Sequence, residues 1–284
     1  MKIKANAKVN LSLEVTGKRA DGYHTLCSVF QSVSLCDYLT VSISDRISVN
    51  CSDGSICGEA NLCFKAAKLF FEKANVQSGA EIFIEKHIPL AGGLGGGSAD
   101  AAATLVALNE ICHRPLTGNQ LLEIALNLGA DVPFCMLGGT KLCEGIGEIM
   151  TDLKPLPDCF IVVAKKGQKS STGDMYRALD SNLNRKRADT GTVIDGLNKG
   201  DLVSALKCAY NCFESVCDAK ALNEAKAVAE EHSAIYCGLS GAGPSVITVT
   251  KKKHTAETIA ETLKNKGFEV FVATPCNSGV EIIE

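Results

Sequence analysis

Between residues 89 and 100 the chain reads PLAGGLGGGSAD, with Gly92, Gly93, Gly95, Gly96 and Gly97 set between a strand-like apolar stretch (82–88) and an alanine-rich helical one (99–108). Without Cβ atoms, these residues let backbone amides close on an anion. A helix opening near Ser98 adds unpaired N–H groups and the positive end of its dipole. Nucleotide phosphates are the guest this implies. A flexible linker is the competing reading, but linkers are seldom bounded so tightly by two periodic apolar segments. Neither common phosphate loop is present. No Lys follows the glycines as in a Walker loop, and the dinucleotide spacing fails because Gly93/Gly95 lead to Ser98 and Gly95/Gly97 to Asp100.

A chain of 284 residues with 7 prolines can build one large or two modest domains with ample core. Its net charge of −3 offers no basic footprint for nucleic acid or anionic lipid, and no apolar run spans a bilayer. The expected partner is a small molecule, with no nucleic acid and no membrane, and the expected form is a monomer or homodimer. Because the alternating segment begins at Met1-Lys-Ile-Lys, no leader is expected and a cytoplasmic location follows. The 14 cysteines lie in apolar periodic segments, as at Cys208, Cys212 and Cys217, and no Cys-x-x-Cys pair occurs. With the 5 histidines scattered as well, the thiols read as reduced small hydrophobes and no metal site is expected.

The N-terminal segment alternates: Ile3, Ala5, Ala7, Val9, Leu11, Leu13 and Val15 face one way, Lys4, Asn6, Lys8, Asn10 and Ser12 the other. Residues 28–44 and 81–87 read as strands, 61–73 and 120–128 as helices. The KPLP sequence at 154–157 marks a hinge and divides the chain into expected domains 1–153 and 154–284. After a buried strand at 160–164, helices dominate to Ser233. A strand at 234–237, a turn at 238–244, a strand at 245–250, a helix at 256–266 and a strand at 269–272 then suit a split βαβ sheet. Arg185-Lys-Arg187 reads as an exposed stretch.

Three further features carry chemistry. Lys8 offers a point charge on a strand, for a phosphate oxygen or an incoming hydroxyl, or is simply solvated. Asp131, between Gly129 and Pro133, is a carboxylate on a short rigid turn, either functional or a turn cap. The GKRADGYH loop (17–24) ends in Tyr23 and His24, which either stack on and pair with a base or cap the core.

Together, AKVNL (7–11) with ADGYH (20–24), the 89–103 cradle, GADVPF (129–134) and LSGAGPS (239–245) resemble the galactokinase, homoserine kinase, mevalonate kinase and phosphomevalonate kinase (GHMP) superfamily. Within it the first and third of these motifs are similar to the members that phosphorylate the 2-hydroxyl of 4-diphosphocytidyl-2-C-methyl-D-erythritol (CDP-methylerythritol), in non-mevalonate isoprenoid synthesis. The resemblance implies an α+β fold with a ribosomal-protein-S5-domain-2-like N-terminal half and a ferredoxin-like C-terminal half, the active site lying between them. It implies Lys8 and Asp131 as the catalytic pair, and Pro89, Leu90, Ala91, Gly92, Gly93, Leu94, Gly95, Gly96, Gly97, Ser98 and Ala99 around ATP phosphates carrying Mg²⁺, with Ser98 beside the metal. Asn61 and Lys86 match positions near the adenine, Lys86 packing on the ring by its stem or contacting it by charge. Asn10 and Thr172 would lie against the acceptor, Tyr23 and Tyr176 would sandwich its cytosine, and His24 would read the base edge. Homoserine or mevalonate as acceptor, and a non-catalytic nucleotide sensor, are the competing readings. The chain departs from the family pattern at Ala99 and Ala242, where serines are usual, and at Cys212, where an Asp is usual.

Overall fold

The structure is a computed structural model that describes residues 1–168, 171–182 and 184–284. Its first half is built on one long antiparallel hairpin, β1 (Lys2–Lys18) and β2 (His24–Ser44), joined by a tight turn in which Gly22 takes a φ of 90°. β3 (Ser48–Cys51), α1 (Leu62–Ala74), β4 (Gly79–Glu85), α2 (Gly96–Ile111), α3 (Gly118–Leu128), α4 (Val132–Leu137), β5 (Thr140–Gly145) and β6 (Ile149–Asp152) follow. The sheet runs β1-β2-β4-β3, with β5 paired to a different stretch of β2 and β6 to β5. Alternate residues of β1 (Ile3, Ala5, Ala7, Val9, Leu11) and of β4 (Ala80, Ile82, Ile84) bury against α1 and α2. α2 is alanine-rich because it is buried on nearly all sides, from Ala99 to Leu108.

The second half contains β7 (Phe160–Lys165), α5 (Thr172–Ser181), α6 (Thr190–Asn198), α7 (Leu202–Lys207), α8 (Ala219–Glu231), β8 (Tyr236–Leu239), β9 (Ser245–Thr250), α9 (Lys253–Asn265) and β10 (Glu269–Ala273). Its sheet is antiparallel with order β10-β7-β9-β8. Taken in chain order this is a β-helix-β-β-helix-β unit with β9 inserted between β7 and β8, the ferredoxin-like split βαβ expected from the tail. α8 and α9 cover one face through Leu222, Ala225, Val228, Ile259 and Leu263.

Several sequence expectations need correcting. A cut at residue 153 does not separate two self-contained bodies, because the tail returns: β11 (Val280–Ile282) pairs antiparallel with β1 and adds an edge to the first sheet. Likewise Val193 and Leu197 of α6, with Leu202 and Leu206 of α7, bury in the first core. Of the two readings of Lys8, the solvated one is removed. Lys8, Asn10 and Ser12 are all buried, with Ser12 donating to Thr190 Oγ1 at 3.2 Å. Arg185 is not free in solvent; it donates to Glu14 Oε1 at 3.2 Å and to the Val15 carbonyl at 2.9 Å. α2 opens at Gly96, two residues before the expected start. Among the described residues no helix is long and apolar enough to cross a membrane.

Candidate active site

A cleft of about 470 Å³ lies between the halves, lined by Lys8, the 89–98 loop and Asp131 from one and by Thr172, Tyr176, Phe213 and Gly241 from the other. Lys8 reaches it from the middle of β1. Its amide donates to the Leu94 carbonyl at 2.9 Å, which ties the strand to the glycine loop. Its ammonium, on a side chain only 6% exposed, lies 3.4 Å from Asp131 Oδ2, donates to Asn10 Oδ1 at 3.1 Å and sits 4.3 Å above the centre of the Phe30 ring.

Asp131 stands at the N-cap of α4 but makes no side-chain cap bond. The capping alternative is thereby removed, and its carboxylate, 37% exposed, faces the cleft beside Lys8. A carboxylate able to take a proton and an ammonium able to hold an oxygen thus meet at one wall.

The loop lies directly against Lys8: a Cβ on Gly95 would come within 3.0 Å of Lys8 Cγ. Gly93 and Gly95 take φ values of 76° and 71°, and Ala91 shares the left-handed region at 52°. A Cβ on Gly93 would come within 2.5 Å of the Ser240 carbonyl, so the second half's turn presses directly on the loop. Gly97 differs: a Cβ there would meet nothing within 4 Å. Gly95 caps α2 without a side-chain bond, leaving the first-turn N–H groups directed at the cleft. Ala99 does not join them, being buried with its N–H bonded to the Gly95 carbonyl at 2.8 Å.

Lys86 lines the cleft but its ammonium is committed to two acids, and Asn61 lies outside the lining. The Lys86 ammonium is buried beneath the first turn of α2, donating to Asp37 Oδ2 at 2.5 Å and Asp100 Oδ2 at 2.6 Å. Asp37 also accepts from the amides of His87 and Ile88, at 2.6 and 2.8 Å, so the cluster fixes both ends of the glycine loop. Burial beside a second carboxylate pushes the Asp100 carboxyl up, while the two acids outweigh burial and raise Lys86. Removing the ammonium in Lys86→Met would leave two acids facing each other and is expected to cost about 3–5 kcal/mol. Urea unfolding checks this, and a loss below about 1 kcal/mol would contradict it. Asn61 caps α1, accepting from Cys63 N at 2.8 Å and donating to the Ile56 carbonyl at 2.7 Å. The neighbouring Leu62 lines the cleft.

At the other end, His24 stacks on Tyr176, ring centres 4.4 Å apart and planes 16° from parallel, with Phe213 edge-on to Tyr176 at 5.0 Å. Asp180 Oδ1 holds His24 Nε2 at 2.8 Å. Burial pushes the Tyr176 hydroxyl up to about 12, so it stays protonated. Tyr23 is 61% exposed on the hairpin turn, and neither it nor His24 lines the cleft; the His24 ring lies directly on Tyr176, so the structure does not show the expected Tyr23–Tyr176 sandwich. Asn10 is fully buried: Oδ1 also accepts from Gly241 N at 2.9 Å, and Nδ2 donates to Ser28 Oγ at 2.9 Å. Asn10 also lines the cleft, and with its amide held from these sides it orients Lys8.

Four residues escaped the sequence reading. Phe30 and Ser28 lie on β2, whose alternation could have placed them beside Asn10 and Lys8. Asp37 was visible as an acid inside an apolar strand. Asn211 is buried and donates to the Leu239 and Gly241 carbonyls at 2.9 and 2.8 Å, bracing the turn that reaches Asn10. Ala242 lines the cleft, and Cys212 is buried in the second core. Among the described residues no group of three His, Cys, Asp or Glu side chains could hold a metal ion.

The model of the GHMP kinases N terminal domain matches residues 61–139, and that of the GHMP kinases C terminal matches residues 193–269. A Clostridioides difficile (strain 630) protein named 4-diphosphocytidyl-2-C-methyl-D-erythritol kinase is 38% identical over 288 residues, spanning 99% of this chain and 97% of its own. One of the same name from Caldicellulosiruptor bescii is 39% identical over 97% of this chain and 98% of its own. The crystal structure of a 4-(cytidine 5'-diphospho)-2C-methyl-D-erythritol kinase superposes with a TM-score of 0.82 at 30% identity, over 97% of this chain and 99% of that one. A homoserine kinase from Cytophaga hutchinsonii shares the fold, with a TM-score of 0.78 at 21% identity over 100% of this chain and 97% of its own. The chain belongs to the GHMP kinases, within the family of 4-diphosphocytidyl-2-C-methyl-D-erythritol kinases.

Proposed function

We propose that the protein transfers the γ-phosphoryl group of ATP to the 2-hydroxyl of CDP-methylerythritol. The observation that carries this is the approach of Lys8 and Asp131 to 3.4 Å beside a loop of free amides in one cleft. Asp131 takes the hydroxyl proton as the acceptor oxygen bonds to the γ-phosphorus and the bond to the β-phosphate oxygen breaks, releasing ADP. Lys8 holds the acceptor oxygen on line, and the amides of residues 96–98 face the charge that spreads over the phosphoryl oxygens. Mg²⁺ arriving with the nucleotide would supply further neutralisation, and the Ser98 hydroxyl, an oxygen in the cleft lining at the loop, would face it while Asp131 stays free for the proton.

Tyr176 and Phe213 give the cleft an aromatic wall, which suits an acceptor that carries a base; homoserine and mevalonate have none. Turnover with the three alcohols is the test. Clear preference for CDP-methylerythritol is expected; preference for either of the others would overturn the assignment.

Gly97 gives an independent check on the phosphate site. Nothing in the protein requires a glycine there, and in a helix it costs about 1 kcal/mol relative to alanine. Gly97→Ala is expected to unfold at slightly higher urea while raising the KM for ATP about tenfold or more, since the methyl group would stand where phosphate approaches. An unchanged KM would place the triphosphate elsewhere.

A further inference from the structure

Beneath the Lys8–Asp131 pair lies a small apolar cluster separate from both main cores: Leu26, Phe30, Phe134 and Cys143. Phe30 comes from β2 and Phe134 from α4, three residues after Asp131. Their rings meet edge to face, with centres 5.1 Å apart. One ring thus touches the element that carries the acid, while its own face lies 4.3 Å below the Lys8 ammonium.

We infer that Phe30 is a positioning residue for phosphoryl transfer, its ring face holding the Lys8 ammonium in place so that Asp131 remains free to accept a proton. This rests on the proposed reaction. The ammonium has three neighbours: Asn10 Oδ1 at 3.1 Å, Asp131 Oδ2 at 3.4 Å and the Phe30 face. Asn10 cannot follow a moving Lys8, because Gly241 N and Ser28 hold its amide from two other sides. The ring and the acid are therefore the two attractions in balance. An aromatic face attracts a desolvated cation through its quadrupole, and here the ammonium is almost wholly shielded from water. Weakening that face lets the ammonium close on Asp131, where a tighter ion pair would occupy the oxygen that must receive the proton. Phe30 acts through the ammonium and not on the triphosphate, so the effect falls on kcat and leaves the KM for ATP.

The test separates ring electronics from ring shape. Phe30 is replaced by mono-, di- and trifluorophenylalanine, which drain the ring's charge with little change in volume. Phe30→Tyr retains the face, and Phe30→Leu removes it. Expected is a stepwise fall in kcat with each fluorine, reaching about tenfold for the trifluoro ring and for Phe30→Leu. KM for ATP and thermal midpoint should stay near wild type through the fluorine series, and Phe30→Tyr should retain most of kcat. A flat kcat across the fluorine series, or a fall that tracks the thermal midpoint, would overturn the inference and leave Phe30 as packing. Failure of the wild-type protein to phosphorylate CDP-methylerythritol would instead strike the proposed reaction itself, so the two failures are distinguishable.

Discussion

Asp131→Asn is expected to lower turnover about 10²–10⁴-fold while the affinity for ATP changes little. Among the described residues the carboxylate is the one acid in the cleft lining, and it makes no capping bond whose loss would disturb α4. An amide in its place keeps the size and can still face Lys8, but it cannot accept the hydroxyl proton. Steady-state kinetics with both substrates saturating check this, alongside urea unfolding. Near-normal turnover would demote Asp131 to holding Lys8. A loss of turnover matched by a loss of stability would show a folding effect rather than a chemical one.

The second large effect is on stability at high pH. Burial drives the thiols of Cys63 and Cys135 far up, those of Cys143, Cys159 and Cys212 to about 12, and those of Cys237 and Cys276 to about 11. In the unfolded chain such thiols ionise near 9. Above that pH the folded protein therefore holds more protons than the unfolded one, so unfolding becomes easier as pH rises. Their contribution is fully present below pH 9 and is lost toward pH 11–12. At about 1.4 kcal/mol per thiol per pH unit, the seven together remove on the order of 10 kcal/mol by pH 10, comparable to the whole stability of a domain. Urea midpoints at pH 8 and pH 10 measure it. A sharp fall is expected; equal midpoints would mean that the thiols are not buried as described.

The sequence carried the elements with local signals. The 89–98 loop, the alternation of β1 and the strand-helix-strand tail are each written in adjacent residues, and each appears in the fold. What could not be read were partners distant in the chain. Lys86 looks available until Asp37, on a different strand, is folded against it. Lys8 can be read as solvated until α6 and the 239–244 turn cover the polar face of β1, which is why Lys8 and Asn10 turned out buried. β11 has three residues behind the Asn277-Ser278-Gly279 turn, and no local pattern tells which sheet so short a strand joins. Asn61 carries a legible helix-start signal, and that local role is the one its side chain performs. The aromatic end differs because Tyr23 belongs to the hairpin turn and stays exposed, whereas His24 opens β2 and stacks on Tyr176.

The account's centre is the convergence of Lys8, Asp131 and the glycine loop on one transferring group. A crystal structure with a nonhydrolysable ATP analogue and CDP-methylerythritol measures it most directly. The γ-phosphate is expected against the amides of residues 96–98, with the acceptor 2-hydroxyl within hydrogen-bond reach of both Asp131 and Lys8. A triphosphate lying outside the loop, or an acceptor hydroxyl facing away from Asp131, would contradict it.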